Sequence, residues 1–591
     1  MKTMYVKTKE KRMYKTHHNN ELNPSHLNLS VTLVGWVAKR RNLGSLVFID
    51  LRDREGITQI VFDDLLLDAV KDVRNEYLLK IVGTVRLRKD TNPKLKTGEI
   101  EVIASQVEII NKAELTPLMI QDDTDALEEI RLKYRYLDLR RPVMQDKLIK
   151  RAKIVSTMRT FLDANGFIDV ETPMLTKSTP EGSREYLVPS RVHTGQFYAL
   201  AQSPQIFKQL LMIAGFERYY QIARCFRDED LRADRQLDFT QVDIEASFLN
   251  EAEFQALIEA MVTQVMTEVL HTDKPTFIKM PYSVAMHEYG SDKPDIRFDL
   301  MLEDISACFK QSEFAVFKNA LELKDGLIKA IRVKDAAHFS RKETDALTEV
   351  AKHNGASGLV VLKFLNSVLE GSVTKFFSDE EKQALTDTLK LQDNDLILIA
   401  AGAFEKTCNA LGSVRLALRD QLNLVNKDDF KYLWVVDFPL FEFNEEDQRL
   451  VARHHPFTRP KEEDLALLRT NPLAVKASAY DLILNGFEVA GGSLRIYDQA
   501  VQKTLFELIG FTDQQIHDRF GFFIDAFGYG TPPHGGIAFG LDRFAMVLTQ
   551  SDSIRDVIAF PKVASARCPL TDAPSFVEDK QLNELHLQIK V

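Results

Sequence analysis

The sequence predicts a multidomain α/β protein with a small N-terminal β-barrel, a larger domain built on an antiparallel sheet flanked by helices, and an α/β module inserted into that larger domain. Three observations support this fold class. The chain has 591 residues, more than one hydrophobic core usually holds. Five short strand-like runs follow one another near the N-terminus. Strand-like and helix-like segments then alternate between residues 290 and 425, whereas the sequence on both sides is rich in strands.

Composition and charge limit the classes of protein to which the chain can belong. Hydrophobic residues make up 45% and charged residues 27%, which are ordinary globular values. The four cysteines include no CxxC pair, which argues against a disulfide framework or a zinc site and suits a reducing cytoplasm. A net charge of −10 excludes a protein that coats nucleic acid through its overall charge, but allows a local basic patch. With no secretory signal and no apolar run near the roughly 18 residues of a membrane span, we expect a cytoplasmic protein without membrane association.

The N-terminal strands have the order of an OB barrel. Five runs of alternating residues come with a short amphipathic helix, 64–76, between the third and the fourth run. We place this domain at 13–112, behind a possible N-terminal extension at 1–12. The expected strands are 29–40, 44–52, 56–62, 78–88 and 100–110.

The barrel carries side chains suited to single-stranded nucleic acid. Arg41, Phe48 and Gln59 offer a cation, an aromatic ring and an amide on its first three strands. A base stacked on an aromatic ring gains about 1–3 kcal/mol. Alternation points Phe48 away from Val47 and Ile49, but spacing alone also allows Phe48 to be a core residue beside a solvated arginine run.

A hinge, a helix and an edge strand follow the barrel. Residues 113–141 are charged and lack strand alternation, which indicates a hinge. Apolar residues then recur at helical spacing and predict an amphipathic helix from Asp146 to Asn165. A strand with the sequence FIDVETPML follows, in which Pro173 indicates an edge or a subunit interface, because proline cannot donate to a sheet ladder. We assign 142–289 to the first part of the larger domain.

The inserted module occupies 290–425. Its strands and helices are expected at 327–333, 341–353, 358–364, 379–390, 395–400 and 403–423. Within it, no cluster of catalytic residue types stands out from the sequence. Strand-rich sequence returns after 427, and we assign 426–591 to the second part of the larger domain with a C-terminal extension.

The stretch from Tyr219 to Phe248 predicts two strands, 219–227 and 238–248, joined by a polar loop that begins at Arg227. A period of two gives the second strand one apolar face and one face with an aromatic ring, an amide and two acids: Phe239, Gln241, Asp243 and Glu245. Taken alone, such a face is typical of a solvated hairpin. It becomes one wall of a binding pocket if other polar stretches face it.

A second hairpin, 479–494, carries two carboxylates. Asn485-Gly486 is a strong signal for a two-residue turn, and closing the turn there pairs Asp481 with Ala490. Asp481 and Glu488 would then lie about 7–8 Å apart on one face. Such carboxylates repel each other unless a cation lies between them, and oxygen ligands of this kind suit Mg²⁺ with a nucleotide phosphate. An exposed acidic hairpin is the alternative, but the flanking sequence is strongly apolar.

Two arginines accompany this hairpin. Strand parity places Arg495 on the face opposite to Asp481 unless Gly491-Gly492 forms a bulge. Arg543 falls in the first turn of a helix predicted within 535–549, where a cation is unfavourable unless it faces an anion such as phosphate. The chain lacks GxxxxGK[ST] and a GxGxxG after a strand, which argues against P-loop and Rossmann sites. The residues alone therefore indicate an antiparallel-sheet enzyme that uses Mg²⁺ and a nucleotide, with an OB module for single-stranded nucleic acid.

Several motifs in series resemble those of one enzyme family. FRDED with RQLDFTQVDIE resembles motif 2 of the class II aminoacyl-tRNA synthetases, and GIAFGLDRFAM resembles motif 3. The helix 146–165 with ETP resembles motif 1, the dimer element of that family. TPEGSREYLVPSR, QSPQIFKQLLM, YGSDKPDIR and RHHPFT resemble bacterial aspartyl-tRNA synthetases in particular, and the module 290–425 resembles their GAD domain. The resemblance covers about residues 13–570, and MYKTHHNNEL from Met13 resembles the usual start of the family.

The resemblance implies an aspartate–tRNA ligase that uses L-aspartate, ATP with Mg²⁺ and tRNA(Asp), and forms a homodimer through the motif 1 helix and strand. Arg227 would hold the ATP α-phosphate and the aspartate carboxyl group, and Arg543 would bind the γ-phosphate. The other implied residues are Glu181, Ser203, Gln205, Lys208, Asp243, His454 and Arg495 for aspartate; Asp228, Glu229, Gln236, Phe239, Glu488, Gly540, Leu541 and Asp542 for ATP; Asp481 and Glu488 for Mg²⁺; and Arg41, Phe48 and Gln59 for the tRNA anticodon.

Three alternatives remain open at this point. A related synthetase for asparagine or lysine conflicts with Lys208 and Arg495, because an amide or an ammonium group gains nothing from two cations. A catalytically inactive relative that only binds tRNA conflicts with the presence of the four residues implied for the chemistry, Arg227, Asp481, Glu488 and Arg543. The third concerns the tRNA: members that also charge tRNA(Asn) usually have His and two glycines where Leu43-Gly44-Ser45 stands, so the resemblance predicts a discriminating enzyme.

Overall fold

The computed structural model describes residues 14–179 and 184–590. The described chain divides into two compact units. The first contains the residues up to 149 together with 555–575, and the second contains 150–554 and the residues after 575. The possible extension at 1–12 and the candidate residue Glu181 lie outside the described residues.

The first unit contains the predicted barrel, and its five strands close in the order β1-β2-β3-β5-β4. Their bounds are β1 Ser30–Leu43, β2 Leu46–Arg52, β3 Ile57–Phe62, β4 Leu78–Leu87 and β5 Ile100–Asn111. The OB fold is confirmed. The helix predicted at 64–76 is wrong in length, since α1 spans only Leu67–Val70. The residues on both sides form tighter turns, with hydrogen bonds from the Leu66 N–H to the Asp63 carbonyl at 3.0 Å and from the Val73 N–H to the Val70 carbonyl at 3.2 Å.

Three helices follow the barrel: α2 Glu128–Lys133, α3 Arg135–Asp138 and α4 Pro142–Ala164. α4 confirms the helix predicted from Asp146 to Asn165, and its start at Pro142 suits a residue whose missing N–H costs nothing in a first turn. The strand predicted over FIDVETPML is not continuous. Only β6 Ile168–Asp169 and β7 Leu175–Thr176 form, in different sheets, because Pro173 between them cannot extend a ladder.

The next part of the second unit leads to the inserted module. Its strands are β8 Leu187–Pro189, β9 Phe197–Leu200, β10 Arg218–Phe226, β11 Asp238–Ser247 and β12 Phe277–Pro281. Its helices are α5 Gln205–Ile213, α6 Glu251–Val269 and α7 Tyr282–Val284. The two strands predicted around Arg227 are therefore present as β10 and β11, and they pair antiparallel in register from Arg218–Ala246 to Phe226–Asp238.

The inserted module is an antiparallel sheet with helices packed against it. Its strands are β13 Leu302–Asp304, β14 Gly326–Val333, β15 Val360–Leu365, β16 Val368–Glu370 and β17 Asp395–Ala403, and its helices are α8 Ala315–Leu321, α9 Arg341–His353, α10 Asp379–Leu389 and α11 Phe404–Gln421. The strand order is β13-β14-β17-β15-β16. The six segments predicted from alternation are all present, whereas β13, β16 and α8 were not predicted.

The remaining elements complete the second unit. The strands are β18 Tyr432–Val436, β19 Phe441–Asn444, β20 Arg449–Ala452, β21 Ala479–Leu484, β22 Phe487–Leu494 and β23 His534–Gly540. The helices are α12 Gln499–Leu508, α13 Asp513–Ala526, α14 Leu541–Leu548 and α15 Asp579–Glu584. None of the described helices combines the length and the apolar character needed to cross a bilayer.

The main sheet of the second unit has eight strands in the order β12-β18-β21-β22-β23-β11-β10-β6. Its six inner strands are antiparallel, which confirms the predicted sheet, and one parallel strand is added at each edge. α6 covers part of one face, where Glu259 accepts a hydrogen bond from the indole N–H of Trp434 at 2.9 Å. α14 packs against β11 and β22, close to the hairpins that carry the candidate site.

Candidate active site

A cavity of about 860 Å³ opens on the polar side of β11. Asp243 and Glu245 on that strand are 1% and 0% exposed, so the solvated-hairpin alternative for this face is wrong. Helix α5, the strands β11 and β22 and helix α14 line the cavity together with the residues that follow β10 and β20. The fold thus brings the separately predicted polar stretches to one place.

Two buried cations and two buried carboxylates form an ion cluster beside this cavity, defined here as Lys208, Asp243, Glu245 and Arg495. Lys208 pairs with Asp243, and its Nζ lies 3.2 Å from Oε2 of Glu245. Arg495 donates from Nε to Oε1 of Glu245 at 3.0 Å and from Nη2 to Oε2 at 3.2 Å. All four side chains are nearly inaccessible to solvent, and their formal charges cancel. Burial of such charges is tolerable because each is paired and hydrogen-bonded.

A glycine makes room for this cluster. Glu245 pairs with Gly536 across β11 and β23, and a Cβ atom at position 536 would lie 1.8 Å from Oε2 of Glu245. Any side chain at 536 would therefore displace the carboxylate that holds Arg495. Gly536, the first residue of the stretch that resembles motif 3, thus leaves space on β23 for the Glu245 carboxylate.

Two further residues fix the guanidinium of Arg495. Its Nη1 donates to Oγ of Ser493 at 2.6 Å and lies 2.8 Å from Nε2 of His455. Burial, reinforced by the charge of Arg495, lowers the pKa of His455 well below its usual value, so the ring is neutral and does not repel the guanidinium. The Arg495 side chain is therefore held in a single orientation.

The two carboxyl groups of the ion cluster respond differently to burial. Burial opposes ionisation of Glu245, but the charges of Arg495 and Lys208 outweigh it and lower the pKa to about 2. Burial raises the pKa of Asp243 despite its pairing with Lys208. Glu245 is thus ionised at any physiological pH. The ionisation of Asp243 is more sensitive than that of Glu245 to a charged ligand bound beside it.

The acidic hairpin, defined here as β21 and β22, turns at Asn485-Gly486 as predicted and pairs Ile483 with Glu488. The predicted pairing of Asp481 with Ala490 is wrong, since Asp481 lies opposite Gly491. The register shifts because a β-bulge gives β22 one extra residue between Glu488 and Ala490.

The same bulge settles where Arg495 points. A bulge was expected at Gly491-Gly492, but the extra residue stands earlier, at Val489. Since Gly491 is the direct partner of Asp481, alternation along β22 brings Ser493 and Arg495 to the side of Asp481. Arg495 and both carboxylates of the hairpin accordingly line the same cavity.

Asp481 and Glu488 converge on the space above Gly491. A Cβ atom there would lie 3.0 Å from Oδ1 of Asp481 and 3.2 Å from Oε1 of Glu488. Burial and the charge of Asp481 raise the pKa of Glu488 to about 7. Burial also opposes protonation of His454, but the Asp481 carboxylate, 3.8 Å from its Nε2, outweighs this and raises the pKa of the ring.

This carboxylate pair fits a divalent cation. A cation between the two groups would relieve the repulsion that raises the pKa of Glu488. Within 14–179 and 184–590, no group of three or more His, Cys, Asp or Glu side chains forms a complete metal site. The pair would therefore supply part of a coordination shell whose other ligands come from phosphate oxygens and water.

Two arginines, Arg227 and Arg543, line the cavity. The Arg227 guanidinium lies 5.2 Å from the ring centre of Phe239. Arg543 donates from Nη1 to the Glu488 carbonyl at 2.7 Å and lies 3.1 Å from an Asp234 oxygen. Five buried atoms of cavity-lining side chains have no hydrogen-bond partner, namely Nε of Arg227, Nε of Arg543, Nε2 of Gln205, Oδ2 of Asp243 and Oγ1 of Thr458. Unpartnered buried polar atoms are costly, so this group indicates that a polar ligand belongs here.

The other candidate residues are placed less uniformly. Ser203, Glu229, Gln236 and Gly540 line the cavity, whereas Asp228 and Leu541 are not among its lining residues. Asp542 lines the cavity, but its carboxylate accepts the Thr240 N–H at 3.0 Å and pairs with Arg151. Those contacts fix the start of α14 against β11.

Sequence reasoning missed three groups of lining residues. Gln241 lines the cavity and Glu245 lies behind it in the ion cluster; both were placed on the polar face of β11 but given no role. His455 was passed over although it adjoins His454 in an HH pair. The β19–β20 hairpin contributes Asn444, Asp447 and Arg449, for which the sequence offers no signal.

A second candidate site lies on the barrel of the first unit. Arg41 and Phe48 are direct partners across β1 and β2, and Phe48 is half-buried whereas Val47 and Ile49 are core residues. Arg41 donates to Asp50 at 2.8 Å and to Oε1 of Gln59 at 3.0 Å. Gln59 donates in turn to Glu101 at 2.7 Å, so a polar network joins Arg41 and Gln59, while Phe48 lies opposite Arg41 across the strand pair.

Comparison with known families and relatives decides the identity of this arrangement. The family described as tRNA synthetases class II (D, K and N) matches residues 127–564, and the OB-fold nucleic acid binding domain described as tRNA_anti-codon matches residues 31–110. The chain belongs to the class II aminoacyl-tRNA synthetases. This synthetase is therefore an aminoacyl-tRNA ligase, and enzymes of its class use ATP with a divalent metal.

Curated relatives match the synthetase over nearly its full length. It is 53% identical over 583 residues to the aspartate–tRNA(Asp/Asn) ligase of Geobacillus sp. (strain WCH70), which covers 97% of this chain and 98% of the relative. It is also 53% identical over 585 residues to the aspartate–tRNA ligase of Geobacillus kaustophilus (strain HTA426), with 98% and 99% covered. The two names differ in the tRNAs that they include.

Solved structures of the same class share the fold. The asparaginyl-tRNA synthetase of Pyrococcus horikoshii complexed with asparaginyl-adenylate superposes with a TM-score of 0.58 at 17% identity, over 93% of this chain and 98% of that one. The aspartyl-tRNA synthetase of Entamoeba histolytica gives 0.57 at 17% identity, over 95% and 94%. At this identity the likeness concerns the fold of the synthetase and not its substrate.

Proposed function

We propose that this synthetase activates L-aspartate with ATP and transfers it to tRNA(Asp). The ion cluster carries the proposal. Lys208 and Arg495 present buried N–H donors to the cavity, and Glu245 and Asp243 hold those donors in place. The relatives that are about 50% identical to this chain are named aspartate–tRNA ligases, which supports aspartate as the substrate.

The hydrogen-bond inventory of the cluster explains a preference for a carboxylate. After its contacts with Glu245, Ser493 and His455, Arg495 keeps one Nη2 hydrogen uncommitted. Lys208 likewise keeps one hydrogen after Asp243 and Glu245. A carboxylate offers one oxygen to each of these two free hydrogens. The side-chain amide of asparagine would instead place its NH₂ group against one of the donors. In a buried site this costs several kcal/mol, on the order of a lost charged hydrogen bond.

The proposed reaction has two steps. In the first, an α-carboxylate oxygen of aspartate bonds to the α-phosphorus of ATP, and the bond from that phosphorus to the bridging oxygen breaks to release pyrophosphate. In the second, the terminal tRNA hydroxyl oxygen attacks the aspartyl carbonyl carbon, loses its proton and expels AMP. Arg227 would bind the α-phosphate and carboxylate oxygens, Phe239 would stack on the adenine, and Arg543 would bind the γ-phosphate. Positioning and charge stabilisation suffice, since neither step needs a side-chain nucleophile.

We assign the remaining contacts on the same basis. Asp481 and Glu488 would hold Mg²⁺, which neutralises phosphate charge when bound. Asp243, through its unpartnered Oδ2, and Gln205, through its amide oxygen, would bind the aspartate ammonium group with Glu181, and His454 would close over it. Arg41, Phe48 and Gln59 would bind the anticodon.

Pyrophosphate exchange without tRNA tests the amino acid. We expect exchange with aspartate and none above background with asparagine or lysine. Arg227→Ala should lower aspartate exchange by about 100-fold or more, the usual effect of removing a charged contact to the transition state. Its unfolding transition should stay at the wild-type position. Exchange supported by asparagine or lysine, or absent with aspartate, would refute the proposal.

The range of tRNAs is a separate proposal. Leu43, 66% exposed, and Gly44 occupy the β1–β2 turn beside Arg41, and the resemblance of this turn favours a discriminating enzyme. The names of several relatives favour the second candidate, an enzyme for both tRNA(Asp) and tRNA(Asn). If the enzyme charges purified tRNA(Asn) with aspartate at a rate near that for tRNA(Asp), it is the second candidate, an enzyme for both tRNAs.

We also propose a homodimer through α4 and β6. β6 is an edge strand of the main sheet, and large apolar side chains near it are exposed, with Ile168 at 48% and Met174 at 53%. Exposed apolar surface on an edge strand is typical of an interface. Light scattering should give twice the chain mass, and Ile168→Asp should reduce it towards the monomer value; a wild-type monomer would refute this proposal.

A further inference from the structure

The turn of the acidic hairpin contacts the start of the inserted module and the segment by which the chain leaves the module. At the exit, the Asn485 side chain accepts a hydrogen bond from the Lys431 N–H at 2.9 Å and donates to the Asp429 carbonyl at 2.8 Å. At the entry, a Cβ atom on Gly486 would lie 3.1 Å from Cβ of Asp295 and 3.6 Å from its Cα. The turn is thus enclosed between the first residues of the module and the segment that follows its last residue.

The entry segment, defined here as residues 290–300, is held rigidly around Asp295. This carboxylate is 1% exposed and accepts hydrogen bonds from Arg297 Nε at 2.9 Å and Arg297 Nη2 at 2.8 Å. It also accepts one from Arg419 Nη1, on α11, at 3.1 Å. The last helix of the module therefore holds the segment that touches the hairpin.

A second arginine of α11 shapes the same segment. Arg415 donates to the carbonyls of Leu300 at 3.0 Å, Phe298 at 2.7 Å, Asp299 at 3.0 Å and Asp295 at 3.1 Å. Its guanidinium also lies 3.8 Å from the ring centre of Phe298. Carbonyls fixed by a buried guanidinium allow the entry segment little freedom to shift.

The turn can transmit this constraint to the cavity. Asn485 and Gly486 have φ values of +53° and +84°, the conformation required in a tight two-residue turn, and Glu488 follows only two residues later. Movement of the entry segment would move the turn, and with it the carboxylate of Glu488. We propose that the inserted module positions the acidic hairpin, with Asp295 as a positioning residue for the divalent-cation site; this rests on the proposed role of Asp481 and Glu488.

Two matched variants of the full-length enzyme test the proposal. Asp295→Asn weakens the grip on the entry segment. Asp395→Asn is the control, because Asp395 is also a buried carboxylate of the module and pairs with Arg332 at 2.6 Å within the module's own sheet. Mn²⁺ binding in the presence of ATP is measured by electron paramagnetic resonance, and KM for aspartate by pyrophosphate exchange.

We expect Asp295→Asn to weaken Mn²⁺ binding about tenfold, which is the usual effect of removing a residue that orients a metal ligand. KM for aspartate should stay within about twofold of wild type, and Asp395→Asn should change neither quantity. Gly486→Ala removes no buried charge, but it strains a turn position with a φ of +84° and places a methyl group 3.1 Å from Cβ of Asp295, so it should act in the same direction if Asp295→Asn fails to fold.

Two results would overturn the proposal: wild-type Mn²⁺ affinity in both Asp295→Asn and Gly486→Ala, or an equal loss in Asp395→Asn, which would show that only module stability matters. If the wild-type enzyme shows no aspartate-dependent exchange, the proposed function fails, but the Mn²⁺ affinities still decide whether the module positions the hairpin.

Discussion

At the level of single residues, Glu245 supports a binding pocket without lining it. Its carboxylate holds Arg495 through two hydrogen bonds and lies within ion-pair distance of Lys208. Together with Asp243, which pairs with Lys208, Glu245 therefore balances both cations before a ligand arrives. Recognition of a carboxylate then depends on the direction of the remaining N–H groups more than on net charge, which explains how such a pocket can reject an amide of the same shape.

Buried histidines predict how stability depends on pH. Burial lowers the pKa of His455 and His534, and the charge of Arg495 lowers that of His455 further. Below about pH 6.5 the unfolded chain binds protons that the folded chain does not, so the free energy of unfolding falls as the pH decreases. Glu488 acts in the opposite sense below about pH 7, because its pKa is raised in the folded state. The effect of one histidine is therefore seen only between two proteins that differ at that position.

We expect His455→Gln to flatten the decline in the free energy of unfolding between about pH 6.5 and 5.5 by up to about 1.4 kcal/mol per pH unit. Urea unfolding can be followed through Trp434 in a Trp36→Phe background, since the chain has 2 tryptophans. His193→Gln, at an exposed histidine, is the control and should leave the pH dependence unchanged. An equal slope in wild type and His455→Gln would contradict the prediction.

At the level of elements, the acidic hairpin depends on a position without a side chain. Gly491→Ala would place a methyl group 3.0 Å from Asp481 and 3.2 Å from Glu488 and push the two carboxylates apart. We expect Mn²⁺ binding with ATP to weaken about tenfold, with little change in the unfolding transition. Gly358→Ala is the control, because its Cβ would meet no atom within 4 Å. Unchanged Mn²⁺ affinity in Gly491→Ala would show that the carboxylates do not act as a pair.

The sequence predicts an element well when the interactions that form it are between residues close together in the chain, and poorly when they are between distant residues. The segments of the inserted module follow from local alternation, and the prediction locates all six. The bulge at Val489 has no marker in its composition, whereas the nearby glycine pair suggested the wrong place. Tight turns on both sides of Leu67–Val70 leave a helix shorter than apolar spacing predicted.

The candidate site divides in the same way. Hairpin pairing located Asp481 and Glu488, the family resemblance implied the roles of Lys208 and Arg495, and the structure brings all four to one cavity. Periodicity could not assign a role to Glu245, because its partner Arg495 is 250 residues away along the chain. Contacts of that range are set by strand order, which no local pattern encodes.

At the level of the whole molecule, the two units carry different candidate sites, which should respond separately to mutation. We expect Phe48→Ala to lower aminoacylation at limiting tRNA by about 5- to 150-fold, which corresponds to the loss of one stacked base. Pyrophosphate exchange without tRNA should stay unchanged. Leu65→Ala, at a 90% exposed apolar residue of the barrel, should alter neither activity. Equal losses in both assays would mean that Phe48 supports the fold and not tRNA binding.

The strand order of the main sheet also explains why so large a module can be accommodated. β12 ends just before the module, β18 begins just after it, and the two strands are parallel neighbours. A parallel pair always requires a long crossover connection, so the module occupies a place where the sheet already needs one. The entropy of closing a loop grows only with the logarithm of its length, and a tenfold longer connection costs about 2 kcal/mol. The sheet is therefore almost indifferent to the size of this connection, and a folded domain can replace a simple crossover without any change in strand pairing.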